Sequence, residues 1–92
     1  MPENPRIKIR RLVSERRYYL TLHVEEEMDN DAIAIYDLER VMREGELAGR
    51  QRDALTGKWK YVLSGLNLGL AMEVVVKVAL TDEVVVITVY SL

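Results

Sequence analysis

Hydrophobic positions along the chain change period once, near residue 46. In the first half they recur at helical spacing. Asn4-Pro5 reads as an N-cap followed by proline at the first helical position, where a missing N–H costs nothing. Ile9, Leu12, Val13 and Arg16 then fall at i, i+3, i+4 and i+7, a helix with one apolar stripe and an arginine-rich opposite face. Tyr18-Tyr19-Leu20 breaks the pattern as a short extended segment. Thr21 caps a second helix to about Asn30, with Val24 and Met28 on one side and His23, Glu26 and Glu27 on another. A third helix runs from about Ile35 to Glu44 on the stripe Leu38, Val41 and Met42. Gly45 is placed to end it in a left-handed conformation. Ala34 stands where a Ser, Thr or Asp cap is expected, and Asp37 in the first turn compensates through the helix dipole.

From Glu46 onward the period is two. Leu47–Asp53, Lys58–Gly65, Ala71–Leu80 and Val84–Tyr90 are four strands. The links Ala54–Gly57, Leu66–Gly69 and Thr81–Glu83 are short enough for hairpins, which forces antiparallel neighbours in a meander. Val75, Val85, Ile87 and Val89 need cover, so the helices must lie on one face. The expected fold is α+β, one domain over residues 1–92, with N-terminal helices on one face of a four-stranded antiparallel sheet that leaves room for a fifth strand.

Composition narrows the classes. Nearly half the residues are hydrophobic and 30% are charged, the balance of a folded domain. No cysteine means no disulfide and no thiolate metal cage. The N-terminus carries no apolar signal segment, and the run Glu83–Leu92 is too short to span a bilayer as a helix, so a cytoplasmic protein is expected. The net charge of −2 hides an asymmetry. Residues 1–20 hold six cations against two carboxylates, residues 21–48 two against nine, and residues 49–92 five against four. The acidic bulk argues against non-specific binding to duplex DNA but leaves a local basic patch for a short RNA segment.

Strand alternation places Trp59, Tyr61 and Leu63 on one face and Lys58, Lys60, Val62 and Ser64 on the other. In the last strand Val85, Ile87 and Val89 alternate with Val84, Val86, Thr88 and Tyr90. If the first set in each strand meets the helices, Lys60, Thr88 and Tyr90 share the exposed face. Such a face holds a phosphate and stacks a base; the plainer alternative is that Lys60 and Lys77 keep the strands soluble. The side taken by Lys77 depends on register. Cleaving RNA without a metal needs a base for the 2′-OH, an acid for the leaving oxygen and cations for the phosphorane charge. His23, the one histidine, with Tyr90 and a Lys/Arg set, supplies these if they converge. A metal site from His23, Glu26 and Glu27 is disfavoured, since adjacent helical glutamates point about 100° apart and neither a second histidine nor a cysteine is present.

One resemblance extends over the chain from about Arg6 to Tyr90. It rests on Tyr18–Met28, Ile35–Val41, Gly45-Glu46-Leu47, Arg50–Asp53, Thr56–Tyr61, Gly65 and Val85–Tyr90. In these segments the sequence resembles a family of small prokaryotic proteins of unknown function related to RelE-, BrnT- and MqsR-like toxins. The resemblance implies a RelE-toxin-like fold and a metal-independent ribonuclease of the mRNA interferase type, in a toxin–antitoxin module. It implies a YgiT/MqsA-like zinc-binding antitoxin as partner, RNA as substrate and no cofactor. Carried over by position, it nominates His23, Lys60, Thr88 and Tyr90 as catalytic, with Arg50, Arg52 and Lys77 as RNA contacts. Two features depart from it: Ala34 replaces a polar cap, and the acidic net charge differs from strongly basic RelE-type toxins. The alternative function is a non-catalytic partner-binding or regulatory domain that keeps the fold. A homodimer through the sheet edge is also open.

Overall fold

In the computed structural model, which describes residues 3–67 and 69–92, three helices lie on one face of a five-stranded sheet. The elements are α1 (Pro5–Ser14), β1 (Tyr18–Leu20), α2 (Leu22–Asn30), α3 (Ile35–Glu44), β2 (Glu46–Arg52), β3 (Trp59–Asn67), β4 (Leu70–Val78) and β5 (Val84–Ser91). Met1 and Pro2 of the N-terminal stretch, and Leu68 of the second hairpin link, lie outside the described residues.

Local signals explain the helix starts. The Asn4 side chain accepts the Arg6 N–H at 2.8 Å ahead of Pro5, and Thr21 Oγ1 accepts from Val24 at 3.3 Å. α3 lacks a cap oxygen at Ala34; instead the Asp37 carboxylate reaches back to the Ala34 N–H at 3.4 Å. The ends differ from expectation. Gly45 is not left-handed but extended, at φ −68° and ψ 163°. Glycine is needed there for space: an added Cβ would stand 2.5 Å from the Val41 carbonyl oxygen and 2.6 Å from that of Ser64. The left-handed helix exits fall at Arg16 (φ 59°) and Ala32 (φ 54°). α1 therefore stops before Arg16, whose N–H bonds to Val13 O while Arg17 N–H bonds to Leu12 O, the double closure that a left-handed residue permits.

The sheet order is β1-β5-β4-β3-β2. β2 to β5 form the expected antiparallel meander. The purely antiparallel, four-stranded expectation is corrected by β1, which pairs parallel to β5 through Tyr18↔Val84, Tyr19↔Val85 and Leu20↔Val86. Three residues are too few to show a period, and their partner lies more than sixty positions downstream, so no local pattern reveals the pairing.

The core lies between this sheet and the helices. Ile9, Leu12 and Val13 of α1, Val24 and Met28 of α2, and Leu38, Val41 and Met42 of α3 meet Leu63, Met72, Val74, Val76, Val84, Val86 and Val89. The expected alternation in β5 is half inverted. Val84 and Val86 face the helices, and Val85 the open side. A bulge then inserts Ile87 between the pairs Val76↔Val86 and Val75↔Thr88, which shifts the phase so that Val89 turns inward.

Polar contacts lock α1 to its neighbours. The half-buried Arg6 donates from Nε to Gly45 O at 3.0 Å and from Nη2 to Met42 O at 2.6 Å, and Arg10 Nε donates to Arg43 O at 2.8 Å. Two cations one turn apart thus close the carbonyl end of α3, where the helix dipole favours positive charge. Lys8 pairs with Asp82 at 2.9 Å, and Arg17 donates to Thr81 O at 3.1 Å, which fixes the β4–β5 turn. Tyr18 donates its hydroxyl to Glu39, and burial first, then that carboxylate, pushes the phenol up to about 12.

Two outcomes test this account. Gly45→Ala should cost about 1–3 kcal/mol, because the methyl meets backbone on both sides, whereas Ala32→Gly should gain up to about 1 kcal/mol by relieving a left-handed alanine. Urea unfolding with unchanged m-values measures both. The native chain also keeps the Tyr18 proton from pH 10 to about 12, after the unfolded chain has lost it. Stability should therefore fall with rising pH across that window, and Tyr18→Phe should flatten the fall, as read from urea midpoints at successive pH values.

Candidate functional site

The nominated residues occupy three separate places. His23 is the second residue of α2, with its side chain 64% exposed and Nε2 3.4 Å from Glu27 Oε1, one helical turn on. Glu27 is the junction. Its carboxylate accepts from Thr88 Oγ1 at 2.8 and 2.9 Å and from the Val89 N–H at 3.1 Å. β1 has stopped pairing at Leu20↔Val86, so Glu27 supplies the acceptor that a longer edge strand would have given. His23 and Thr88 are thus brought together, through a glutamate that the sequence places with His23 on the side of α2 away from Val24 and Met28.

Tyr90 and Lys60 share the open face, as expected, but not a site. Tyr90 lies opposite Glu73, which lies opposite Ser64. Lys60 is four residues from Ser64 along β3, so about 13 Å along the strand and 10 Å across two strands separate the backbones of Lys60 and Tyr90. Tyr90 donates its hydroxyl to Glu73, and that bond, followed by burial, raises its pKa. Lys60 Nζ lies 3.7 Å from Asp53 Oδ2. The register settles Lys77, which pairs with Val85 on the open face next to Lys60. His23, Lys60 and Tyr90 therefore form no single constellation.

A different cluster assembles at the β2–β3 hairpin. Asp53 builds the turn, accepting the N–H groups of Leu55 at 2.8 Å and Thr56 at 3.1 Å, while Gly57 takes the left-handed position (φ 70°). Those backbone bonds hold the Asp53 carboxyl below its usual range; desolvation opposes them, and Lys60 adds to them. The turn sets Arg52 opposite Trp59 and Arg50 opposite Tyr61. The guanidinium carbons of Arg50 and Arg52 stand 4.3 and 4.5 Å from the Trp59 ring centroid. At that range planar guanidinium and indole attract through the ring quadrupole.

These two arginines differ from most basic residues of α1 and of the turn that follows it. Arg6, Arg10 and Arg17 are engaged with carbonyls, and Lys8 and Arg11 with carboxylates. Among the described residues Arg50 and Arg52 have no carboxylate partner and are exposed. Residues 49–60 carry Arg50, Arg52, Lys58 and Lys60 against one carboxylate, Asp53. One face of the hairpin thus offers an aromatic plate with two forked cations, and the other Lys60 beside Lys77. Trp59 escaped sequence reading because its face was assigned to the helix side. That assignment is right in parity, but Trp59 lies two residues beyond Tyr61, outside the core cluster. Arg50-x-Arg52, set across a short turn from Trp59, was the legible signal.

Among the described residues no group of three or more His, Asp and Glu side chains is arranged to hold a metal ion. No helix of the described chain is long and apolar enough to cross a membrane. Glu27→Ala should cost about 1–3 kcal/mol by stranding the Thr88 hydroxyl and Val89 amide. Hydrogen exchange at Val89 should accelerate beyond the change in global stability.

A family model described as a domain of unknown function (DUF4258) matches residues 20–91, from the end of β1 to the end of β5. It takes in α2, α3 and the whole hairpin cluster, and leaves α1 outside. No curated protein and no solved structure matches the chain.

Proposed function

We propose, for a chain that belongs to the DUF4258 family, that it acts on RNA, binding a short single-stranded segment at the β2–β3 hairpin. The observation that carries this reading is the Trp59 ring with Arg50 and Arg52 within 4.5 Å of its centroid. A base stacks on an indole whatever its identity, and guanidinium forks bond phosphate oxygens in pairs. Lys58, Lys60 and Lys77 extend the cationic surface around the hairpin. With a net charge of −2, attraction is confined to this end of the sheet, so few phosphates are engaged. A RelE-type kinship, toxin-like action in the cytoplasm and a zinc-binding antitoxin partner belong to this same proposal. They are supported by the resemblance in sequence and by an α+β fold with helices on one sheet face.

RNA cleavage is the second reading, favoured by the exposed His23 imidazole paired with Glu27. The carboxylate holds the ring in one orientation, and a general base must be positioned within hydrogen-bond reach of the proton it takes. Against it, α2 and its exit carry Glu25, Glu26, Glu27, Asp29 and Asp31 with no cation, and the Tyr90 proton is committed to Glu73.

Trp59 is the one tryptophan, so its fluorescence reports the site directly. Titration with a single-stranded RNA oligonucleotide should quench it. Replacing Arg50 and Arg52 by alanine should lower the salt slope by about 1.4, at roughly 0.7 per phosphate contact. Trp59→Ala, followed by anisotropy of labelled RNA, should cost about 1–3 kcal/mol of binding. Unchanged affinity in both variants would sink the RNA-binding reading. For cleavage, growth arrest on expression should be relieved by His23→Ala; arrest relieved by Trp59→Ala but not by His23→Ala leaves binding alone as the activity.

A further inference from the structure

At the opposite edge of the sheet, β1, α2 and the start of α3 border an open groove of about 440 Å³. Its walls are Leu20, Met28, Ile33 and Ile35, with Glu25 and Asp29 on the rim. The groove follows from local structure. Ala32 turns the chain left-handed at the end of α2, and Ile33 N–H closes onto Met28 O at 2.9 Å, which folds Ile33 back against Met28. Leu22, 71% exposed, begins the same stripe of α2, because Leu22, Glu25 and Asp29 fall at i, i+3 and i+7.

We propose that this groove docks a basic amphipathic helix of a partner protein. Charge selects the occupant. From Tyr18 to Glu39 the chain carries seven carboxylates and no lysine or arginine. Among the described residues Glu25 and Asp29 take no side-chain hydrogen bond and no ion pair, so both charges remain available. They stand one helical turn apart, which matches cations spaced i and i+4 on a helix lying along α2, while the apolar floor takes that helix's leucine-type side chains. The same rim repels a phosphate chain, so RNA is not the occupant. An added β-strand is not either, because β1 offers only three residues at the edge. The inference stands apart from the RNA reading, which concerns the other edge of the sheet.

The test uses the whole protein and the fluorescence anisotropy of a labelled leucine–lysine peptide of about five helical turns, beside the same composition in scrambled order. The amphipathic order should bind about tenfold tighter or more, a difference of about 1.4 kcal/mol. The double reversal Glu25→Lys with Asp29→Lys should weaken it at least tenfold, as should Leu22→Ser to a smaller degree, with circular dichroism and the RNA titration unchanged. Both substituted carboxylates are exposed and bond nothing among the described residues, so folding should survive. Equal binding of the scrambled peptide, or equal binding by the charge-reversed protein, overturns the proposal. So does a self-associating protein, seen by sedimentation, whose dimer is lost in the same double variant, since the groove would then be filled by a second copy.

Discussion

The placement of α3 on the sheet depends on how its carbonyl end is closed. Four backbone carbonyls at a helix end need partners, and here the bonds at Met42 and Gly45 are part-buried while that at Arg43 is exposed. Arg6 and Arg10 of α1 supply donors to Met42, Arg43 and Gly45. The arrangement needs two glycines. Gly45 lets the turn into β2 touch the Ser64 carbonyl, and Gly65 leaves room for Val41, whose Cγ2 would stand 3.1 Å from an added Cβ. Arg6 is charged but half-buried; burial, then its neighbour Arg10, lowers its pKa, and the α3 carbonyls offset that cost.

A consequence follows for the charge of α1. Its basic face looks like a binding surface in the sequence, yet Arg6, Lys8, Arg10, Arg11 and Arg17 are engaged within the fold. Among the described residues Arg50 and Arg52 of the β2–β3 hairpin, gathered around Trp59, are exposed cations without a carboxylate partner. The two edges of the sheet have therefore diverged. At β5, Glu27 occupies the acceptor position beyond β1, and the surface there is acidic. At β2, the edge is exposed along its length and ends in arginines. An exposed edge strand invites pairing with another chain, and arginine together with the irregularity between Leu47 and Gly49 discourages it.

Much of the fold was legible in the sequence because it rests on short-range order. Asn4-Pro5, Thr21 and Asp37 act within four residues of themselves, helical stripes show at three- and four-residue spacing, and Asp53 and Gly57 write their own turn. The three helices, the β2–β5 meander and the buried stripe of each helix follow from those signals. Arg50 and Arg52 fall on the strand expected for them, because its extent is marked by the Asp53–Gly57 turn beside it.

What tertiary structure decided has sequence separation in common. β1 finds β5 across the whole domain, so its parallel pairing left no periodic trace. The Ile87 bulge inverts the faces of β5 midway, and a bulge forms only against the neighbouring strand. It is the bulge that turns Thr88 toward Glu27 and Val89 toward the core. The dispersal of His23, Lys60 and Tyr90 follows from register, which sets positions along strands that alternation alone cannot fix. Residue types and their local spacing thus determined which elements form and which sides are apolar. Which charges remain free, and which side chains meet, was settled only when distant segments packed, because each carbonyl or carboxylate takes the donor that packing brings nearest.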